Sequence, residues 1–268
     1  MLAPQRHTLI VDRIRRDGAV RVAELVRELG VSDMTIRRDL DLLARRGLLD
    51  KVHGGATLPR QSTSAEPWFS DKSRREPREK EAIALAASEL VVPGSAIGLS
   101  AGSTTCELAR ALADVPGLTV VTNSPPAAQV LHQLGRLDLT VVLTGGQRTR
   151  SDALVGPIAN ACLDNVRLDA VFLGIHGMHR DAGFTSPNLW EAETDRMMIA
   201  CSSRRVFLAD HTKWDVTGLA FVAPLETANV LITDSGLDPA AREVLAESVG
   251  ELKVVDAGSD DTADQPVS

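Results

Sequence analysis

The stretch VSDMTIRRDL at residues 31–40 indicates the fold of the first part of the chain. Ser32 stands where the N-cap of a helix belongs, because its hydroxyl can accept a hydrogen bond from a free backbone amide. Ile36 and Leu40 follow at the spacing that places apolar side chains on one face of a helix. The stretch therefore predicts a helix over residues 33–45, with its polar side chains turned away from a core.

The neighbouring residues predict two more helices before this one and two short strands after it. Gly30 separates the second and third helices and allows the left-handed conformation that a tight turn between helices requires. Two helices joined by a tight turn, followed by a β-hairpin, are typical of a winged helix-turn-helix. The predicted elements are helices over residues 4–16, 22–29 and 33–45 and strands over residues 48–52 and 56–58.

This arrangement predicts a DNA-binding surface. The N-terminal residues of the second helix of such a motif enter the major groove, where arginine makes bidentate contact with guanine. Basic residues outside that helix suit phosphates, which position the domain without reading sequence. The alternative is a three-helix domain that binds protein. The predicted DNA-binding residues are Arg21, Ser32, Thr35, Arg37, Arg38, Lys51, His53, Gly54 and Gly55.

The charge of the chain is divided unevenly along its length. The whole chain of 268 residues has a net charge of −7. Residues 1–60 contain 12 Lys and Arg against 8 Asp and Glu, a net of +4, whereas the remaining 208 residues contain 17 against 28, a net of −11. A basic module joined to an acidic one is expected when only one part approaches phosphates.

A segment rich in proline, serine and charge marks the domain boundary. We predict a DNA-binding domain over residues 1–60, a linker over 61–75, an α/β domain over 76–256 and a disordered tail over 257–268. The chain has no apolar run near the roughly 18 residues that span a bilayer, and no signal core at its start. Its three cysteines are far apart and odd in number. These features predict a cytoplasmic protein without membrane contact or disulfides.

Strand-like and helix-like runs alternate through the second domain. This alternation predicts a Rossmann-like α/β fold, with a parallel sheet covered by helices on both faces. Ligands of such sheets bind at the carboxyl ends of the strands. The predicted strands cover residues 95–99, 118–122, 139–144, 170–174, 205–209, 229–233 and 252–255, and the predicted helices cover 80–90, 104–113, 126–134, 156–166, 189–201 and 239–248.

Four loops that follow predicted strands have residue types that suit an anion or a hydroxyl. The loop over residues 100–105 combines glycine with hydroxyls at the start of a helix, where free amides attract phosphate. Its other interpretation is an ordinary helix cap without a ligand. The remaining three loops contain the amide of Asn123, a glycine pair followed by arginines, and Lys213. Each of these features is also common on protein surfaces that bind no ligand. The predicted ligand-binding residues are Ser100, Gly102, Ser103, Thr104, Thr105, Asn123, Gly145, Gly146, Arg148 and Lys213.

The stretch at residues 31–40, followed by Gly47 and by HGGA at residues 53–56, resembles the signature of DeoR-type repressors. The resemblance continues to about residue 256. It implies an operator-binding domain and a second domain, similar to sugar-phosphate isomerase folds, that senses a phosphorylated sugar or related metabolite. The GSTT, TNS, GG and Lys213 positions match the ligand loops of that domain. We therefore expect a homo-oligomeric repressor, a dimer or tetramer, that controls genes of carbohydrate metabolism or uptake.

Two residues depart from the family pattern. Ser100 stands where the family often has Asp, and His176 stands where it often has Asp or Asn. Both positions bear on how the hydroxyls of a ligand are bound. His176, His179 and His211 are the candidates for a metal site. His176 and His179 have the spacing H-x-x-H in a glycine-rich loop without a clear carboxylate or cysteine partner, so no metal and no cofactor are predicted.

Two other functions are compatible with this fold. A sugar-phosphate isomerase would need a carboxylate base beside the sugar. Glu191 and Glu193 are interpreted as residues of a helix surface, so we expect no enzyme activity. The other alternative is a DNA-binding protein whose second domain only forms oligomers, because the loops of a binding site can be vestigial.

Overall fold

The computed structural model describes residues 3–45, 48–57 and 63–258. The chain divides into two units, Met1–Ser62 and Thr63–Ser268. Several expectations lie outside the described residues: the turn at Gly47, the end of the second wing strand at Leu58, the first linker residues, and the tail from residue 259 onward.

The first unit is a winged helix-turn-helix, as the sequence predicts. Strand β3 pairs with both β1 and β2, and both pairings are antiparallel. Strand β1 was not expected, because three residues are too few to show a strand pattern. The elements are α1 (Ala3–Asp17), β1 (Ala19–Arg21), α2 (Val22–Leu29), α3 (Asp33–Arg45), β2 (Asp50–Val52) and β3 (Gly55–Thr57).

The core of this unit is formed by the apolar faces of its three helices. Ile10 and Ile14 of α1, Leu25 of α2, and Ile36 and Leu40 of α3 are each at most 1% exposed. They recur at helical spacing within each helix, which is why the sequence alone predicted these helices. The burial of this face orients the opposite face of α3 outward.

The second unit is built on a parallel sheet of seven strands in the order β15-β14-β12-β9-β4-β5-β6. This confirms the predicted Rossmann-like α/β architecture. The elements of the unit are α4 (Phe69–Ser73), α5 (Pro77–Ser88), β4 (Ala96–Leu99), α6 (Ser103–Ala111), β5 (Thr119–Thr122), α7 (Pro125–Gln133), β6 (Thr140–Leu143), β7 (Gln147–Arg148), β8 (Leu154–Val155), α8 (Pro157–Asp164), β9 (Leu168–Gly174), β10 (Gly177–His179), β11 (Gly183–Ser186), α9 (Leu189–Ala200), β12 (Ser202–Leu208), β13 (Ala220–Ala223), β14 (Val230–Asp234), α10 (Pro239–Ser248) and β15 (Leu252–Val255), with 3₁₀ turns at His211–Lys213 and Leu225–Thr227.

Successive residues of the central strands pack into different cores on the two faces of the sheet. Val171 and Leu173 of β9 belong to one core, and Phe172 between them belongs to the other. In a parallel sheet between two layers of helices, the strands are buried on both faces, so their sequences are unbroken runs of apolar residues. None of the helices in the described part of the chain is long and apolar enough to cross a bilayer.

Two smaller antiparallel sheets were not predicted. Strands β10, β11 and β13 form a three-stranded sheet, and β7 pairs with β8. All four residues of β11 are buried, so its sequence shows no alternation of apolar and polar residues. Strands of two to four residues are too short to show a pattern of alternation, even where they pair locally, as β7–β8 and β10–β11 do.

The segment over residues 61–75, predicted as a linker, has hydrogen-bond partners in the second unit. Its described part is folded onto the second unit: the carbonyl of Thr63 accepts from the amide of Leu219 at 2.7 Å. Glu66 Oε2 accepts from Asn188 Nδ2 at 3.0 Å, and helix α4 follows it. A polar, proline-rich composition gives no sign of these partners, because they lie more than 100 residues away.

Candidate functional site

Helix α3 begins at a side-chain cap. The amide of Thr35 donates to Oγ of Ser32 at 3.2 Å, and the amide of Ile36 donates to the carbonyl of Ser32 at 3.1 Å. The hydroxyls of Ser32 and Thr35 lie 2.9 Å apart. Ser32 therefore caps the helix, as its position predicts. Contact of either residue with DNA stays a prediction.

The two neighbouring arginines of α3 differ in their contacts. Arg37 lies along the helix against Asp33, with 2.5 Å between Nε and Oδ1. Arg38 is exposed, and among the described residues its guanidinium has no hydrogen-bond or ion-pair partner. Arg38 is therefore free to contact a base. Arg37 can do so only after it leaves Asp33, which costs little because an exposed pair of this kind contributes about 0.3–0.5 kcal/mol.

Asp39 of α3 points inward and joins this helix to α1. Its carboxylate accepts from Arg6 Nε at 2.6 Å and lies 2.8 Å from His7 Nε2. Burial acts to raise the pKa of Asp39, but the hydrogen bonds from Arg6 and His7 lower it below its ordinary value. Asp39, the aspartate of the sequence TIRRDL at residues 35–40, therefore orients α3 and does not face solvent.

The glycines of the wing are required by backbone geometry. Gly54 has φ +78°, in the left-handed region, and its carbonyl accepts from the amide of Val22 at 2.9 Å. A Cβ at Gly55 would lie 2.1 Å from the carbonyl oxygen of Val20. The pair therefore brings the wing turn against β1 and α2. A direct contact of either glycine with phosphate stays a prediction.

The remaining predicted DNA-binding residues lie at the surface. Lys51 Nζ lies 2.5 Å from Asp41 Oδ1, which joins the wing to α3. Arg21 and His53 are exposed, Arg21 just before α2 and His53 at the wing turn. Positively charged or donor groups at such positions suit phosphates. Contact of these three residues with DNA stays a prediction.

In the second unit, the carboxyl ends of the strands meet at a switch in strand order. The chain passes from β4 to β5 and β6 on one side, and β9, β12, β14 and β15 lie on the other. The loops after β4 and β9 are therefore neighbours at the position where α/β sheets bind ligands. Ser100 joins them, since its Oγ accepts from the amide of Gly174 at 3.0 Å.

The predicted loop over residues 100–105 leads directly into α6. Thr105 Oγ1 donates to the carbonyl of Ser100 at 2.6 Å, so this hydroxyl shapes the loop. Ser103 and Thr104 are the first two residues of the helix, and their amides have no intrahelical acceptor. Such a turn presents free N–H groups and hydroxyls to an anion.

Asn123, Gly145 and Gly146 form the neighbouring loops. Asn123 is buried; its Oδ1 accepts from the amide of Ala101 at 2.8 Å, and its Nδ2 donates to the carbonyl of Leu154 at 3.1 Å. Gly145 and Gly146 have φ of +72° and +118°. These residues hold the loops in place, and any contact of theirs with a ligand stays a prediction.

The two predicted cations differ in their surroundings. Arg148 is mostly exposed and pairs with Asp152, with 2.8 Å between Nε and Oδ1. Lys213 is half-buried, and its Nζ lies 3.6 Å from Oδ2 of Asp210, a residue that is fully buried. That oxygen has no hydrogen-bond partner among the described residues. Lys213 is therefore the better placed of the two to present charge at the sheet edge.

Two lysines and an arginine that were not predicted lie close to Lys213. Lys80 is 2% exposed, and its Nζ donates to the carbonyl of Lys72 at 2.6 Å and to that of Arg75. Burial lowers the pKa of Lys72 and of Lys80, and repulsion from Lys213 lowers both further. We call Lys72, Arg75, Lys80 and Lys213 the cationic cluster.

His176, in the loop after β9, faces the cationic cluster. Burial lowers its pKa to about 4, and the charges of Lys72, Lys213 and Arg75 contribute. The imidazole is therefore neutral at pH 7 and offers one donor and one acceptor. Helix α4, which contains Lys72, contacts α6. Positive charge near free helix amides and a neutral imidazole suits a phosphorylated ligand with hydroxyls.

Glu191 is not a helix-surface residue, and that interpretation was wrong. Its Oε1 accepts from Thr149 Oγ1 at 2.6 Å and from Ser151 Oγ. Ser151 also donates from its amide to Glu66 Oε1 at 3.1 Å. Burial raises the pKa of Glu191, although Lys72 acts to lower it. These partners come from a loop about 40 residues earlier, which helical periodicity does not show.

Two of the histidines considered for a metal each lie near an aspartate. His179 Nε2 lies 3.5 Å from Asp215, and His211 Nδ1 lies 2.8 Å from Asp234. Within residues 3–45, 48–57 and 63–258, no three His, Cys, Asp or Glu side chains are grouped as a metal site.

Two family models match the chain. The model described as "DeoR-like helix-turn-helix domain" matches residues 6–62, and the "DeoR C terminal sensor domain" matches residues 75–235. The chain belongs to the DeoR family of transcriptional regulators. It is therefore a DNA-binding regulator, and the fold and recognition expected from residues 31–40 are confirmed.

Relatives of this DeoR-family chain match along nearly its whole length. The HTH-type transcriptional regulator GlpR of Haloferax volcanii is 37% identical over 96% of the chain and 98% of that relative. The glycerol-3-phosphate regulon repressor of Escherichia coli K12 is 31% identical over 95% of the chain and 100% of that relative. Ribose 5-phosphate isomerase A from Neisseria gonorrhoeae is a more distant structural neighbour, 19% identical with a TM-score of 0.38, over 52% of this chain and 54% of that chain.

Sequence reasoning missed four residues of the sensor domain of this DeoR-family protein as ligand-site candidates. Lys72 and Arg75 lie in the segment taken for a linker, and Lys80 lies at the predicted start of a helix. His176 was noted as a departure from the family and considered for a metal, but it was not among the predicted ligand-binding residues. The one available signal was the basic run RREPREK at residues 74–80, which reads equally well as a solvated helix start.

Proposed function

We propose that this regulator represses genes of carbohydrate metabolism or uptake, and that a phosphorylated sugar or related metabolite changes its affinity for operator DNA. The cationic cluster beside the first turn of α6 carries the proposal. Its members come from the segment before β4 and from the turn after β12. Phosphate would neutralise this charge and accept from the free amides of Ser103 and Thr104.

Each group at this edge has a distinct role in the proposal. Ser103 and Thr104 bind the phosphate through amides and hydroxyls, and Lys213 and Lys72 supply charge. His176, neutral at pH 7, exchanges a hydrogen bond with a sugar hydroxyl. The glycerol-3-phosphate regulon repressor among the relatives is, by its name, a regulator of phosphorylated-metabolite genes. That name supports the ligand class here and does not identify the ligand.

The ligand would act by favouring one arrangement of the regulator over another. A symmetric dimer or tetramer would present paired DNA-binding units to operator half-sites. A ligand shifts operator occupancy only as far as its affinities for the DNA-bound and free arrangements differ. Release of the operator is the expected direction.

The chain is proposed to bind its ligand without transforming it. An isomerase needs a carboxylate free to take a proton from the sugar. Glu191 is a carboxylate near Lys72, but Thr149 and Ser151 donate to its Oε1, and Glu66 shares Ser151 with it. Incubation with each sugar phosphate, followed by NMR, is expected to show no conversion.

The test is a mobility-shift titration of the full-length chain. The DNA is its own upstream region and any duplex that the chain enriches from random sequence. A panel of sugar phosphates is added, with inorganic phosphate and the unphosphorylated sugars as controls. At least one sugar phosphate is expected to shift the midpoint while its sugar does not. If no compound changes binding, the sensor proposal fails and a purely oligomerising domain is favoured.

The Thr104→Glu variant tests ligand sensing separately from operator binding. The added carboxylate occupies the phosphate position and repels an anion, so the response to the ligand should be lost. Ligand-free operator binding should be unchanged, because Thr104 lies in the second unit. A retained response would contradict the assignment of this loop.

A further inference from the structure

The outward face of α3 presents two side chains, those of Met34 and Arg38, that have no partner in the part of the chain that the structure describes. Met34 is 72% exposed, an unusual position for a large apolar side chain. Arg38 is exposed one turn later and is free among the described residues. Residues four apart on a helix are neighbours, with about 5–6 Å between their Cβ atoms. The two side chains therefore form one apolar and cationic surface.

The other side chains of residues 32–40 are already engaged or buried. Ser32 and Thr35 contact each other, and Arg37 pairs with Asp33. Ile36 and Leu40 are in the core, and Asp39 is held by Arg6 and His7. Within this stretch, as far as the structure describes it, only Met34 and Arg38 combine exposure with freedom from any partner.

Helix geometry places these two residues opposite the core. Each residue advances an α-helix by about 100°, so Met34 and Arg38 lie about 200° before and after Ile36. Both are thus within about 20° of the line that points directly away from the buried face. In a helix-turn-helix this face, at the N-terminal end of the second helix, enters the major groove.

We infer that Met34 reads the 5-methyl group of a thymine, within two base pairs of a guanine that Arg38 contacts. The inference rests on the proposed binding of operator DNA. Thymine is the base with a methyl group in the major groove, and apolar side chains distinguish it by contact with that group. The separation of about 5–6 Å between the two Cβ atoms corresponds to one or two steps of 3.4 Å along the duplex.

Deoxyuridine scanning tests this inference, because deoxyuridine pairs like thymidine but lacks the methyl group. The full-length chain first selects a duplex from random sequence. Each thymidine of that duplex is then replaced singly by deoxyuridine, and affinities are measured by fluorescence anisotropy. For the unaltered chain, one replacement beside a guanine should weaken binding about fourfold, which corresponds to the roughly 0.8 kcal/mol of one buried apolar carbon.

Variants assign that loss to its side chain. Met34→Ala should bind the thymidine and deoxyuridine duplexes equally at that position, and Met34→Leu should keep part of the difference. Leu9→Ala is the matched control, because Leu9 is also an exposed apolar residue of this unit, at 49%. It should keep the whole difference.

The outcomes separate this inference from the proposed function. Failure to enrich any sequence would overturn operator binding and this inference with it. An enriched duplex that tolerates every deoxyuridine would overturn the role of Met34 alone. So would a Met34→Ala variant that keeps the same sensitivity at the same position.

Discussion

Arg6 Nε lies 2.6 Å from Asp39 Oδ2, and this pair joins the first helix of the DNA-binding unit to the recognition helix α3. Both side chains are less than 10% exposed. His7 approaches the same carboxylate at 2.8 Å. The orientation of the outward face of α3 thus depends on a charge contact on the opposite side of the helix, between residues 33 positions apart in sequence.

Asp39→Ala should destabilise the first unit by about 3 kcal/mol, because it leaves the buried charge of Arg6 unpaired. Hydrogen exchange of the full-length chain should show lower protection in α1 and α3. Asp33→Ala is the control, since it removes a carboxylate from an exposed pair on the same helix. Equal protection in both variants would contradict the role assigned to Asp39.

Arg38→Ala should weaken operator binding by about 1–3 kcal/mol and relax specificity at one guanine. Replacement of that guanine by 7-deazaguanine removes the N7 acceptor and should weaken the unaltered chain but not the variant. Arg37→Ala is the matched comparison; it should show a smaller loss and keep its sensitivity to 7-deazaguanine. If Arg37→Ala alone loses that sensitivity, the base contact belongs to Arg37.

Gly55→Ala should disrupt the wing, because the added Cβ would lie 2.1 Å from the carbonyl oxygen of Val20. A close contact that the backbone must relieve costs about 1–3 kcal/mol. Operator affinity should fall, and exchange at the amides of β1 and β3 should rise. Val52→Ala changes an exposed wing residue and should leave exchange unchanged.

Lys72→Gln should raise the pKa of His176 above its value of about 4, because one of the charges that repel its protonated form is removed. The pKa should stay below 6.5, since burial is the larger cause of the shift. NMR titration of the His176 ring, identified through a His176→Asn variant, provides the measurement. Lys253→Gln, which removes a lysine paired with Glu89, should leave this pKa unchanged.

The pair His211–Asp234 should make the stability of the second unit depend on pH. The hydrogen bond to Asp234 raises the pKa of His211, and burial only partly opposes it. This contribution is complete below the ordinary pKa of 6.5 and is lost as the pH rises through the folded value. His176 acts in the opposite direction over this range, because its pKa is lowered to about 4. The contribution of His211 is therefore measured as the difference in urea midpoint between the unaltered chain and a His211→Gln variant, followed by tryptophan fluorescence. This difference should be larger near pH 6 than near pH 8.5.

His132→Gln provides the comparison, because His132 is exposed on α7 and its replacement should leave the pH dependence of the unaltered chain in place. A difference in midpoint between the unaltered chain and His211→Gln that is the same at both pH values would contradict the stabilising role of the pair.

Much of the first unit was predictable because its information is local. The cap at Ser32 and the apolar spacing of Ile36 and Leu40 act within a few residues of each other. The same is true of the alternation of strands and helices that predicted the parallel sheet. Strand β1 and the sheet of β10, β11 and β13 were not predictable, because each strand has only three or four residues, and β1 and β13 pair with strands more than 30 residues away.

The sensor site was predicted only in its local parts. The glycine and hydroxyl loop at residues 100–105 and the turn with Lys213 follow strands, so topology alone places them at one edge. Lys72, Lys80 and His176 became candidates only once the segment before β4 was seen to fold back onto that edge. Conversely, the structure shows Asn123 and Arg148 already bonded within the chain, which their residue types did not indicate.

By itself, the sequence determined the winged helix-turn-helix, the parallel α/β sheet and the family, because caps, turns and periodic burial are written in neighbouring residues. The tertiary structure decided which polar side chains form hydrogen bonds or ion pairs within the fold and which remain available to a ligand or to DNA. Asp39 and Arg38 are adjacent in the chain, yet one is held in the interior and the other faces outward. Helical rotation turns neighbouring side chains about 100° apart. The packing of α3 on α1 then decides that Asp39 meets Arg6 in the interior while Arg38 faces outward.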